Sequence, residues 1–104
     1  MSAETLKKEF IPKYISDGKQ KFYRFILIYA LNKMVLINNG SYKGSLPDLE
    51  LLDYYERFLT LYRREGDSIY LQIAGLFRKA AHRIHRLMIK KQMSSNSIKF
   101  LRSV

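Results

Sequence analysis

The chain has 104 residues, enough for one domain, and its apolar fraction of 47% can supply a core. Its formal net charge of +10 is high for this length. Such a charge affects solubility and the choice of binding partners rather than the fold. It contains no cysteine, which excludes disulfides and thiolate metal sites. The apolar stretch 22–37 is too short and too interrupted to span a membrane, and no small-residue cleavage site follows it. We therefore expect a cytoplasmic protein.

The first 18 residues predict a short N-terminal helix over residues 3–15. Its apolar residues recur every four positions, which places them on one helical face. Pro12 lacks a backbone N–H and disfavours a continuous helix, and Asp17-Gly18 predicts a break in the chain. The shared face consists of Leu6, Phe10 and Tyr14.

The next segment, residues 19–38, predicts the first long helix. Every residue from 25 to 31 is apolar, so this helix lacks a polar face at its middle. Such a pattern is typical of the buried central helix of a small bundle. The Asn39-Gly40 turn and a Gly/Ser-rich loop follow it.

A second long helix is predicted over residues 46–65. Ser45 can cap it, Pro47 suits the first turn, and the Asp48 carboxylate favours the free N–H groups there. Gly66-Asp67 predicts the end of this helix and the start of the next, which makes the two helices neighbours. The predicted apolar face comprises Leu51, Leu52, Tyr55, Phe58, Leu59 and Tyr62.

The last helix, predicted over residues 68–93, has the clearest helical period in the chain. Residues 94–104 are expected to form a loose tail of a single domain, 1–104. The fold class is thus all-α: a small bundle of three main helices with a short N-terminal helix. The apolar stripe of the last helix is Ile69, Ile73, Leu76, Phe77, Ala80, Ile84, Leu87 and Met88.

Positive charge concentrates in the last third of the chain. Residues 68–104 contain eight Lys and Arg and not one Asp or Glu. A helical face of unopposed cations favours an anionic partner, nucleic acid first, although a merely solvated face has the same composition. The predicted binding residues are Arg78, Lys79, His82, Arg83, Arg86 and Lys90.

A helix-turn-helix reader of DNA fits this pattern poorly. In that motif the first residues of the second helix contact the bases. Here that turn offers Ser68, Tyr70 and Gln72, and the first cation is Arg78. Phosphate contact without sequence recognition fits the residues better, and DNA, RNA and acidic protein remain open as partners.

A competing hypothesis is a protein-interaction or assembly module, with a homodimer as its simplest form. Leu71 and Ile89 fall on the polar side of the last helix, five turns apart, and predict an interaction surface. Helix 19–38 also carries more apolar surface than a three-helix core needs.

Catalysis and metal binding have little support in the sequence. His82 and His85 share a helical face, but a metal site needs a third ligand and this helix has no Asp, Glu or Cys. No nucleophile, phosphate-loop or metalloprotease motif is present. We expect a non-enzymatic protein without cofactor, metal or small-molecule substrate, for which a membrane partner is disfavoured.

Overall fold

A computed structural model describes residues 2–42 and 44–90 of the chain. Over these residues the structure consists of three α-helices without a strand, which confirms the all-α prediction. The helices are α1 (Ala3–Asn38), α2 (Pro47–Glu65) and α3 (Ser68–Lys90). The predicted tail 94–104 and the predicted last turn 91–93 lie outside the described residues.

Helix α1 contains the predicted N-terminal helix as its first arm, which is not clearly separate from the helix after it because the two arms meet at Gly18 without a loop between them. Ser2 caps its start, since the Ser2 hydroxyl accepts a hydrogen bond from the Thr5 N–H at 3.1 Å. Pro12 lies inside the helix and does not end it. Both Pro12 and Lys8, whose carbonyl loses its helical donor, are exposed, so water can satisfy that carbonyl.

The helical backbone of α1 is instead interrupted at Gly18, the predicted break. Gly18 has φ 83° and ψ 174°, a conformation that favours glycine. The rings of Phe10 and Phe22 lie 6.2 Å apart, and the Lys13 ammonium lies 4.4 Å from the Phe25 ring. Residues twelve apart in a straight helix are separated by about 18 Å. The two arms of α1 therefore fold back on each other at Gly18.

Helices α2 and α3 share the most extensive contact of the bundle. Gly66 ends α2 in the left-handed conformation, at φ 76°, and the Asp67 carboxylate accepts from the Ile69 N–H at 3.0 Å. Both features match the prediction for this connection. The predicted Ser45 cap is wrong: Leu46 occupies the cap position and makes no side-chain hydrogen bond there.

The core centres on Phe77 of α3, which is 1% exposed. Its ring lies 5.3 Å from Phe10, 5.9 Å from Phe22, 5.2 Å from Tyr54 and 5.8 Å from Phe58. Both arms of α1 and the middle of α2 thus meet on one side chain of α3. The predicted apolar stripe of α3 faces inward, with six of its members buried: Ile73, Leu76, Phe77, Ala80, Ile84 and Met88.

The prediction that helix 19–38 is the buried centre of the bundle is wrong. This second arm of α1 lies across the α2–α3 pair and leaves one side open. Three apolar residues on that side, which we name the apolar strip, are 50% (Ile28), 37% (Leu31) and 57% (Val35) exposed. The helix is apolar on both faces, but the bundle covers one of them.

Candidate nucleic-acid interface

Helix α3 turns its apolar stripe toward α1 and α2, which leaves its other side to solvent. Because the buried and exposed sides follow the helical period, every predicted site residue is placed outward. The exposed residues are Leu71, Arg78, Lys79, His82, Arg83, Arg86, Ile89 and Lys90.

The structure separates these residues into two groups. Lys79, Arg83, Arg86 and Lys90 follow the spacing four, three, four, which aligns them along one side of the helix. We name these four the basic stripe. Together with Tyr23 and Leu87 they line an open groove of about 420 Å³ on the side of α3 that faces α1.

Tyr23 joins the groove from the second arm of α1. The Lys79 ammonium lies 5.0 Å from the centre of the Tyr23 ring, within range of a cation–π contact. This contact ties the start of the basic stripe to α1. Sequence reasoning missed Tyr23 because its position depends on how α1 crosses α3, which no local pattern records.

The basic stripe has no acidic partner among the described residues. Elsewhere in the bundle cations and carboxylates pair, as Lys13 does with Asp17 at 3.0 Å and Arg57 with Asp53 at 2.9 Å. Within residues 2–42 and 44–90, no such ion pair involves any of the four stripe residues. Their charge therefore acts on the groove without local neutralisation.

Arg78 and the two histidines lie on the opposite, α2-facing side of the exposed surface. The Arg78 guanidinium is 5.7 Å from the Tyr55 ring. His85 Nδ1 lies 2.9 Å from Oδ2 of Asp48, and His82 lines a shallow groove with both. Arg78 and His82, which the sequence grouped with the other cations, are thus apart from the basic stripe.

Asp48 of α2 supplies a carboxylate of the kind that α3 lacks: it contacts His85, and His82 lines the same groove. It is 6% exposed and also accepts a hydrogen bond from the Leu49 N–H at 2.9 Å. It fixes the start of α2 against the end of α3. Among the described residues, no three His, Asp or Glu side chains are grouped in a way that would hold a metal ion.

The first turn of α3 is engaged inside the bundle. Tyr70 is buried and donates to Glu65 Oε1 at 2.9 Å, while Gln72 Oε1 accepts from the Tyr14 hydroxyl at 2.7 Å. Hydrogen bonds from Lys7, Tyr70 and Arg64 hold the pKa of Glu65 at about 2. Tyr70 and Gln72 are therefore occupied with intramolecular partners, which argues further against base recognition of the helix-turn-helix type.

Leu71 and Ile89, the predicted interaction surface, are 44% and 53% exposed. They lie on one line of α3, with Arg78 and His82 between them. That these two residues contact a partner stays a prediction. The apolar strip of α1 is a second exposed apolar surface, which the sequence did not locate.

Over the described residues, none of the helices has an apolar run long enough to cross a bilayer. Comparison with protein-family models, with curated proteins and with solved structures gives no match.

Proposed function

We propose that this protein is a non-enzymatic nucleic-acid-binding protein that contacts phosphates through the basic stripe of α3. The observation that carries the proposal is the alignment of four exposed cations along one groove, without an acidic partner among the described residues. A solvated helical face with intramolecular ion pairs would instead intersperse charges of both signs.

The length of the basic stripe suits a run of phosphates. Lys79 and Lys90 are eleven residues apart, which corresponds to about 16 Å along the helix axis. Arg83 and Arg86 lie between them and can each hold a phosphate through two parallel N–H donors. The stripe thus offers successive contacts along one strand.

Binding of this kind is independent of sequence. Lysine and arginine contacts to phosphates position a nucleic acid but carry no base information. Each contact releases counterions, so affinity falls steeply with salt concentration. An acidic protein offers carboxylates in place of phosphates, and its binding would lack the regular spacing that a strand provides.

The test measures the binding of a labelled mixed-sequence oligonucleotide by fluorescence anisotropy over a salt series. In the triple variant Arg83→Gln, Arg86→Gln and Lys90→Gln, the helix should stay folded because Gln is a comparable helix former. Loss of three phosphate contacts should reduce the slope of log K against log salt by about 2 to 3 units. A competition arm with polyglutamate distinguishes nucleic acid from a generic acidic partner.

The matched control removes three cations elsewhere: Lys8→Gln, Lys21→Gln and Arg63→Gln. All three side chains are exposed, and the net charge falls by the same amount. We expect this variant to retain most of the affinity and slope. Equal losses in both variants would show that binding reflects net charge alone, and absence of binding at about 50 mM salt would reject a phosphate site.

A further inference from the structure

The second arm of α1 presents an apolar seam to solvent. Ile28, Leu31 and Val35, the apolar strip, are spaced three and four residues apart, which aligns them along one side of the helix. Leu36, 44% exposed, lies beside them. This three–four spacing is the one by which two helices pack along a shared seam.

The apolar strip itself is uncharged, and the nearest cations on its side of the helix are Arg24 and Lys21, one and two turns before Ile28. Between residues 25 and 38 the one charged residue is Lys33, and its side chain is 13% exposed. Lys33 points inward, where it pairs with Glu50 and donates to the Tyr29 hydroxyl at 3.1 Å. From Ile28 to Val35 this side of α1 therefore offers no charge to a phosphate, and what suits it is another apolar surface.

We propose that the apolar strip is a dimer interface, covered by the same strip of a second copy of this chain. A two-fold axis makes one patch serve both partners, so an uncharged apolar seam is complementary to itself. An antiparallel crossing keeps the Arg24 side chains of the two copies apart, whereas a parallel one would place them side by side. This inference goes beyond nucleic-acid binding and does not depend on it.

The size of the apolar strip sets the expected strength of the dimer. With Leu36 it offers on the order of 300 Å² of apolar surface per copy, the lower end of the range for the largest apolar patch on a typical monomer. Stable interfaces bury about 800 Å² per partner, so this dimer should be weak. Because two copies of charge +10 repel each other, added salt should strengthen the association by screening that repulsion.

The predicted surface on α3 is less suited to this role. Leu71 and Ile89 are eighteen residues apart, about 27 Å along the helix, and so do not form one patch. Arg78 and His82 lie between them, and a second copy would bring like charges together there. These two residues therefore serve as the matched control.

The test is sedimentation equilibrium of the full chain, freed of nucleic acid by nuclease treatment, from about 5 to 200 μM and at low and high salt. We expect a monomer–dimer equilibrium that shifts toward dimer as salt rises. The variant Ile28→Gln with Val35→Gln should be monomeric throughout, and Leu71→Gln with Ile89→Gln should dimerise like the parent. All four substitutions preserve the net charge and are compatible with an exposed helix, which circular dichroism checks.

Three results would overturn the proposal: a parent protein that is monomeric at every concentration and salt, equal loss of dimer in both variants, or loss in the Leu71/Ile89 variant alone. The last result would move the contact to α3. Nucleic-acid binding by the parent and the Ile28/Val35 variant, measured in parallel, separates failure of this proposal from failure of the proposed function.

Discussion

The C-terminal half of α1 and helix α3 sort their side chains in opposite ways. Between residues 25 and 38, α1 turns its one charged residue, Lys33, inward to Glu50 and leaves Ile28 and Val35 in solvent. Helix α3 buries its apolar stripe and turns its cations outward. Composition therefore did not decide which face is exposed. The extent of packing did: α3 makes the most extensive contact of the bundle, with α2, whereas α1 packs less extensively against both other helices.

The two exposed faces should respond to salt in opposite directions. Phosphate binding by the basic stripe weakens as salt rises, because counterions compete for both partners. Association through the apolar strip strengthens, because salt screens the repulsion between two positively charged copies. A titration of one protein preparation can therefore assign an activity to one face or the other.

Phe77 lies at the centre of the core, and both exposed faces depend on it. Phe77→Asp would bury an unpaired carboxylate among four aromatic rings and leave a cavity, a cost of several kcal/mol in a domain whose total stability is about 5 to 15 kcal/mol. We expect no cooperative thermal unfolding by circular dichroism, with nucleic-acid binding and dimer both affected. Leu71→Asp, at an exposed position of the same helix, is the control and should melt near the parent temperature. A cooperative Phe77→Asp protein would mean that the core is misassigned.

A smaller loss of stability, which concerns the contact of α1 with α2, is expected from substitution of Lys33. Burial lowers the pKa of Lys33, but hydrogen bonds to Glu50, Tyr29 and Tyr42 outweigh burial and raise it above its ordinary value. Lys33→Met leaves Glu50, 16% exposed at its side chain, without its cation, which should cost about 2 to 3 kcal/mol in urea unfolding.

Two further variants serve as controls for the stability change caused by Lys33→Met. Adding Glu50→Gln should recover part of the loss, because it removes the stranded carboxylate. Lys21→Met, on the exposed side of the same arm, should change stability by less than about 0.5 kcal/mol. If Lys33→Met unfolds like Lys21→Met, the ion pair contributes nothing to holding α1 on α2.

Local patterns predicted the parts of this structure that depend on neighbouring residues. Gly66 and Asp67 predicted the connection between α2 and α3, and the period of α3 predicted which of its side chains are buried. Asp17-Gly18 likewise marked the position where the backbone of α1 leaves the helix. Each of these patterns depends on residues close together in the chain and has one physical interpretation.

What the sequence did not predict depends on contacts between distant segments. The fold-back of α1 brings Phe10 to Phe22, and its crossing of α3 brings Tyr23 to the basic stripe. An all-apolar stretch does not show which of its faces will pack against another helix, so the sequence predicts burial for the exposed apolar strip as well. The division of the predicted cations into a groove and an α2-facing group has the same origin.

The smallest expected effect concerns Gly75, which lies one turn before Lys79 on the line of the basic stripe. Gly75 is exposed, and a Cβ built there meets nothing within 4 Å. Gly75→Ala should therefore stabilise the protein by about 0.5 to 1 kcal/mol through the lower backbone entropy of the unfolded chain, raising the melting temperature by several degrees. Gly66→Ala is the control of opposite sign, because its φ of 76° strains any residue with a Cβ.

Gly75→Ala also sharpens the boundary of the basic stripe. A methyl group adds no charge, so oligonucleotide affinity and its salt slope should remain those of the parent if the contacts begin at Lys79. A more stable protein with weaker binding would mean that the strand approaches the α3 backbone at Gly75, so that the footprint extends toward Leu71. Self-association should not change in either case, since Gly75 lies on α3 and the apolar strip lies on α1. A dimer weakened by this one methyl group would place the second copy on α3 and reverse the assignment of the two faces.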